Sequence, residues 1–271
     1  MASLKEVKGR IASVNSTRKI TSAMKMVASA KLHKAQAAIE SMLPYERRLH
    51  HILTDFMSNC TEVTSPFIVK REVKKVAVVV FASNTSLCGG FNANVIRHLV
   101  DLLAEYKPLG LENILVFPVG KKVADAVRKL GFRIEGDFQH MADKPSYQEA
   151  ADLAADLMKR FLHGDVDKVE LLYNHFKSTA SQILTRETYL PIDLNNEKKE
   201  EERTIDYILE PSAEELMQEM LPKVLRMKMF TVLLDSNAAE HAARTMAMQI
   251  ATDNANELLQ ELTVMYNKSR Q

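Results

Sequence analysis

Few residues in this chain have the types and spacings that chemistry needs. The stretch Ser86-Leu87-Cys88-Gly89-Gly90-Phe91-Asn92 follows an apolar β-branched run and precedes a helical one, the position at which Rossmann-like domains hold phosphates on helix N-terminal amides. It has neither the G-x-G-x-x-G spacing nor the lysine of a P-loop, so a structural strand-to-helix turn is the better reading. Cys88 as a nucleophile would want a depressed pKa and a general base. The helix start favours the thiolate, but no histidine is near in sequence, and a packed thiol is expected. His50 and His51 are adjacent, so their rings leave a helix on different faces and form no metal pair. The remaining histidines show no partner spacing. The acidic groups Glu214-Glu215 and Glu200 to Glu202 lack the apolar context that would raise a carboxyl for acid–base work. No catalytic residue, cofactor site or metal site is expected.

The function is therefore sought in the elements. With 271 residues, 46% apolar and 26% charged, the chain has the composition of a folded protein of one large or two modest domains. A formal net charge of +1 argues against a surface that seeks nucleic acid or acidic lipid as a whole. The two cysteines, Cys60 and Cys88, form no disulfide framework or metal pattern, which suits a reducing compartment. No apolar run is long enough to span a membrane, and the first residues show no secretion signal.

Both ends read as long helices. Near the N-terminus Ser3 can cap and Glu6 stands three residues on; the pattern then runs without proline to Leu43, where Pro44 is expected to close it. Leu4, Val7, Ile11 and Val14 form a stripe continued by Thr21, Met24, Ala28, Leu32, Ala35, Ile39 and Met42. This helix carries an excess of about six positive charges. A short helix from Pro44 to about Asn59 follows. The C-terminal stretch opens at Pro211 with Ser212 and Glu215 placed as a capping box, and after Pro222 it has no proline or glycine. From Lys223 to Gln271 it would extend roughly 73 Å as one helix. An apolar seam can be followed through Leu225, Met229, Val232, Ser236, Ala239 and Ala243 to Met246 with a mean step of 3.5 residues, the spacing that keeps facing a coiled-coil partner. It continues through Ile250, Asn254, Leu258 and Leu262 to Met265 with a mean step of 3.8, which should drift off that seam.

Between the helices the period changes. Val73 to Ala82 is a β-branched run of a kind buried on both faces of a parallel sheet. Strands are expected at Asn113 to Val119, Phe132 to Phe138, Asp167 to Phe176 and Ser181 to Leu190. Helices are expected at Asn92 to Tyr106, Lys121 to Leu130 and Ser146 to Leu162. A charged loop covers Asn195 to Arg203, and Ile205 to Leu209 can add an edge strand. The fold class is α/β: a Rossmann-like, doubly wound domain (73–209) inserted between a helical N-terminal part (1–59) and a C-terminal helix (212–271), the long helices pairing as an antiparallel coiled coil. Alanines at 238, 239, 242, 243 and 247, facing Ala23, Ala28 and Ala35, would let the axes approach closely. Two other classes stay open on the residues alone. One is a nucleotide-binding α/β protein dimerising through its helices; the other is a coiled-coil nucleic-acid binder, disfavoured by dispersed lysines without stacking aromatics.

Ile20-Thr21-Ser22-Ala23-Met24-Lys25-Met26-Val27-Ala28 through Lys31 resembles the signature of the γ subunit family of F-type ATP synthases. So do Glu240-His241-Ala242-Ala243-Arg244-Thr245-Met246-Ala247-Met248, Ala251-Thr252-Asp253-Asn254-Ala255, the Leu87-Cys88-Gly89 turn and the ending Tyr266 to Gln271. The resemblance implies a non-catalytic rotor without cofactors. Its helices would form a curved coiled coil inside a ring of alternating α and β subunits, with the α/β domain below, toward the ε subunit and the membrane c-ring. Proton or sodium flow would turn it on the cytoplasmic face of a bacterial plasma membrane, as a peripheral protein with no nucleic-acid partner. By the same resemblance Met24, Lys25 and Lys31 meet acidic loops of the β subunits, and Arg270 and Gln271 contact a β loop higher in the cavity. The chain departs from the family at Asn84, commonly Asp, and Ser86, commonly Gly. Family members also usually continue past the Arg-Gln pair for about five helical turns, so the resemblance implies a truncated C-terminus.

Overall fold

A computed structural model describes residues 3–59, 65–192 and 213–270. Cys60, the loop from Asn195 to Arg203, the edge strand expected at Ile205 to Leu209, the Ser212 cap and Gln271 lie outside them. Two helices dominate: α1 (Leu4–Asn59) and α6 (Ala213–Arg270), each roughly 85 Å long at the usual rise. Ser3 starts α1 as its spacing implies, its Oγ accepting from the Glu6 amide at 3.2 Å.

Pro44 does not close that helix. α1 continues through it, so there is one helix where the sequence suggested two. The ring is on an exposed side of α1, where a missing amide and a displaced carbonyl cost least because water can satisfy the freed oxygen. Pro222 is likewise internal to α6.

Between them lie β1 (Val76–Phe81), α2 (Phe91–Tyr106), β2 (Ile114–Val119), α3 (Lys121–Leu130), β3 (Arg133–Ile134), α4 (Gln139–Asp143), α5 (Tyr147–His163), β4 (Lys168–Ser178) and β5 (Ser181–Leu190). The sheet order is β3-β2-β1-β4-β5, parallel except for the β4–β5 hairpin. The expected strand from Phe132 to Phe138 shrinks to two residues, because Gly136 at φ 72° turns the chain away and α4 starts shortly after. β1 is buried on both faces, as its composition requires. Val76, Val78 and Val80 pack against α2 and α3, whereas Ala77, Val79 and Phe81 face a larger core completed by α5 and the lower part of α6. That lower part contributes Met217, Leu221, Leu225, Met229, Val232 and Leu233.

The seam expected from Leu225 onward is therefore split. Up to Val232 it faces the sheet domain rather than α1, because the helix first completes that domain's core. Above it the helices pair antiparallel: Leu32 and Ala35 cluster with Ala238 and Ala242, the Thr21 and Thr252 hydroxyls are 2.8 Å apart, and Arg18 reaches Asn256. Ala28 and Ala35 are buried and Ala23 is exposed. On α1 the buried or half-buried line advances in steps of three and four: Val7, Ile11, Val14, Arg18, Thr21, Lys25, Ala28, Leu32, Ala35. On α6 it is Met248, Thr252, Ala255, Leu259, Leu262 and Tyr266, while Ile250, Asn254, Leu258 and Met265 are exposed. The drift expected after Met246 is real for those residues, yet a second heptad line keeps α6 on its partner. The molecule is a helical shaft standing on an α/β foot.

Pro44→Ala should restore one helical hydrogen bond at an exposed position and raise the stability of α1 by about 1–3 kcal/mol. Thermal melts of the full chain check this; a drop in the midpoint would mean that the proline ring itself is needed for packing.

Candidate functional site

Two features can do work here: the junction that fixes shaft to foot, and the outer surface of the shaft. The junction is built by polar residues of α6 that interrupt its apolar run, each reaching a different part of the foot. Asp235 accepts from the Phe176 amide at 2.8 Å and pairs with His175 Nδ1 at 2.7 Å. Asn237 Nδ2 donates to the Ala142 carbonyl at 2.9 Å. Lower down, the Tyr189 hydroxyl donates to the Leu225 carbonyl at 2.7 Å from a fully buried ring, and burial pushes that phenol's pKa up.

Arg244 makes the fourth link. Its Nη1 donates to the Ser86 carbonyl at 2.6 Å and its Nη2 to Thr85 Oγ1 at 2.9 Å, while Glu240 Oε1 accepts from Nε and Nη2. The turn it grips is itself rigid. Asn92 Oδ1 accepts from the Ser83 amide, and Asn92 Nδ2 donates to the Ser83 hydroxyl and to Cys88 Sγ. Leu87 is held at φ 70°, a conformation that costs a branched side chain on the order of 1 kcal/mol and persists because both flanks are tied down. Asn84, one of the departures from the family pattern, donates Nδ2 to the Gln139 carbonyl and accepts from the Lys121 amide, both at 2.8 Å. An ionised carboxylate could not make the first of these bonds. Cys88 is buried within the turn, a packed thiol as expected.

Burial raises the Glu240 carboxyl above its ordinary pKa, countered by the hydrogen bond from Arg244. Burial also lowers His241 to about 4, helped by the charges of Lys31 on α1 and Arg244, with Asp143 of the foot acting the other way. His241 Nδ1 has no hydrogen-bond partner among the described residues. The ring is therefore a neutral packing group at ordinary pH.

The residues singled out from sequence do not form one site. Met24 and Lys25 are half-buried at mid-shaft, with Lys25 on the helix–helix seam. Lys31 is exposed beside the junction, close enough for its charge to act on Glu240 and His241. Arg270 is exposed at the far end of α6, roughly 30 Å along the shaft from Met24, and Gln271 lies outside the described residues. Sequence reasoning missed Thr85, Asp235 and Asn237 and gave Arg244 no individual role; the available signal was a run of polar residues within an otherwise apolar helix. The shaft also exposes Ile20, Met26, Val27, Ile250 and Val264, each more than half open to solvent. Apolar side chains are thus displayed along both helices. Among the described residues no His, Cys, Asp and Glu group could hold a metal ion, and no helix is long and apolar enough to cross a membrane.

An antiparallel helix pair, fixed to a foot and displaying apolar residues along its length, has the form of a mechanical coupling subunit. Comparisons with known proteins agree. The ATP synthase family profile matches residues 3–271. Relatives called ATP synthase gamma chain are 81% identical in Phocaeicola vulgatus and 62% in Bacteroides thetaiotaomicron, each covering 100% of this chain, which in turn covers 94% and 95% of theirs. Solved structures of the Euglena gracilis mitochondrial ATP synthase rotor (TM-score 0.63, 20% identity, 98% of this chain and 97% of that one) and of the Tetrahymena thermophila central stalk and c-ring (TM-score 0.61, 22% identity, 86% and 99%) share its fold. The chain belongs to the ATP synthase gamma chain family.

Lowering the pH should loosen this junction. The unfolded chain protonates His241 near pH 6.5 while the native chain resists to about 4, so the unfolded state binds more protons in that window and stability falls as pH drops through it. The loss between pH 7.5 and pH 5 is at most about 2 kcal/mol; Glu240, raised by burial, offsets part of it by taking up a proton in the folded state. Urea unfolding of wild type and His241→Leu at both pH values should show a shallower pH dependence in the variant. Parallel profiles would contradict the buried, neutral ring.

Proposed function

We propose that this chain is the central rotor shaft of an F-type ATP synthase, coupling proton or sodium flow through the membrane sector to ATP synthesis or hydrolysis at the β subunits. The observation that carries the reading is α6 itself. One unbroken helix belongs to the core of the foot at its lower end and to the helix pair at its upper end, so torque applied to the foot has no hinge in which to dissipate. The shaft surface is not rotationally symmetric, since its exposed residues differ from side to side. Each surrounding β subunit therefore meets a different face, and differential contact biases it between open and closed states.

The partners that follow are the α and β subunits around the shaft and the ε subunit and c-ring at the foot, with the whole held peripherally on the cytoplasmic face of the membrane. Lys25 and Lys31 supply positive charge from a basic helix to acidic loops of the β subunits, with Met24 as an apolar contact beside them. Arg270 and Gln271 act in a separate tier near the tip.

Aspartate at the exposed apolar positions tests this. Ile20→Asp and Val27→Asp combined should leave the melting temperature of the isolated full chain within about 2 °C, since exposed substitutions change stability by about 0.5 kcal/mol or less. The same variant should lower co-purification with coexpressed α and β subunits at least tenfold. Normal recovery of the assembled complex would show that this face does not meet the ring.

A further inference from the structure

Asn84 stands where three parts of the foot meet. It lies, half-buried, between the end of β1 and the residues that Arg244 grips. Its Oδ1 accepts from the amide of Lys121, the first residue of α3, and its Nδ2 donates to the carbonyl of Gln139, the first residue of α4, both at 2.8 Å. A backbone amide only donates and a backbone carbonyl only accepts, so these two partners fix which way the side-chain amide faces. A neutral amide serves both, whereas an ionised carboxylate serves only the first.

α4 needs such tethers. With five residues it is little more than one turn, too short to hold itself, and the carbonyls of its last turn have no partner within the helix. One of these, on Ala142, accepts from Asn237 of α6 at 2.9 Å. α4 is thus bonded at its start to Asn84 and near its end to α6.

These contacts close on themselves. From Asn237 the path runs through α4 to Asn84, along the backbone to Thr85 and Ser86, and across to Arg244, whose guanidinium donates to both at 2.9 and 2.6 Å. It returns to α6 about two helical turns above Asn237. With the aspartate common in the family the path would stop at Gln139. Packing holds α6 less tightly over the same stretch. A cavity of about 10 Å³ lies between the helix and the carboxyl ends of β1 and β2, bordered by Ala82, Val119, Ala142, Asn237 and Glu240, and side chains around a void lose contacts on that side.

We propose that Asn84 is a positioning residue of the crossover: by joining the two anchors that α6 grips, it turns separate contacts into one closed circuit that sets the rotation of α6 about its own axis. Among the described residues Asn84 makes no hydrogen bond to α6 itself. Either anchor alone would move with the helix. Joined, a roll of α6 has to displace α4, the start of α3 and the 84–86 turn together, so the grips of Asn237 and Arg244 support each other. The circuit lies wholly within this chain and is tested without the α and β subunits.

Urea unfolding of the full chain measures that mutual support as a double-mutant cycle. Asn237→Ala removes the grip on α4, and Arg244→Lys keeps a cation for Glu240 but cannot fork onto Thr85 and Ser86. Once one grip is gone the other has less to hold, so the double variant should be destabilised at least fivefold less than the product of the two single effects, about 1 kcal/mol. With Asn84→Asp in the background the same cycle should be additive to within about twofold. That variant keeps the acceptor for the Lys121 amide and places a carboxylate at the positive end of α3, so it is expected to fold; Asn84→Ala, which loses both bonds, should abolish the coupling too. A residue that merely adds stability would lower the midpoint and leave the cycle between the other two unchanged. Additive effects of Asn237→Ala and Arg244→Lys in the wild-type chain, or a coupling that persists in Asn84→Asp, would each overturn the role given to Asn84.

Discussion

One helix must satisfy two partners, and the rest of the structure follows from that constraint. The lower part of α6 completes the larger core of the foot, and its upper part pairs with α1. Between the two the helix has to change the face it buries without breaking. The polar residues Asp235, Asn237, Glu240 and Arg244 occupy this crossover; Asp235, Asn237 and Arg244 each bond to a strand, short helix or turn of the foot, and Glu240 holds the Arg244 guanidinium from the same helix. Apolar residues there would allow the helix to roll; directional hydrogen bonds fix its rotation about its own axis. Alanines at 238 and 242, fully buried, let α1 approach at the level where the shaft leaves the foot.

The sheet of the foot was legible because β1, β2 and β4 are buried strands rich in β-branched and aliphatic residues, separated by helices with clear periodicity. The shaft was legible as two helices but not in its contacts. The apolar series from Leu225 to Met246 suggests a seam against α1, yet its lower residues, such as Met229, face the foot, while Ile250, in the part expected to drift, is exposed. The true upper seam includes Thr252 and Tyr266 and pairs with a line containing Arg18 and Lys25, so polarity hid it. A shaft that leaves apolar residues exposed inverts the usual signal, and hydrophobic periodicity then follows the outer face rather than the core. Pro44 misled for a simpler reason: a proline on the solvent side is tolerated where a buried one would end the helix.

The candidate site was legible only as a family signature. Residues 240–248 carry the resemblance, but nothing in their spacing says that Arg244 grips Thr85 and Ser86, more than 150 positions earlier. That link exists because a domain inserted between two paired helices brings its first turn back against the second helix. The same insertion gives the molecule its function: the foot receives a push, and the crossover delivers it to a shaft whose two helices move together.

The most direct test of that last statement is a disulfide between Thr21→Cys and Thr252→Cys, at the position where the two hydroxyls meet at 2.8 Å, in the assembled ATP synthase complex with rotation read by single-molecule recording during ATP hydrolysis. Helices that turn as one body predict rotation rate and torque unchanged by oxidation and by subsequent reduction. A shaft that stalls when oxidised and recovers when reduced would mean that the helices slide past each other during the cycle, contradicting the account.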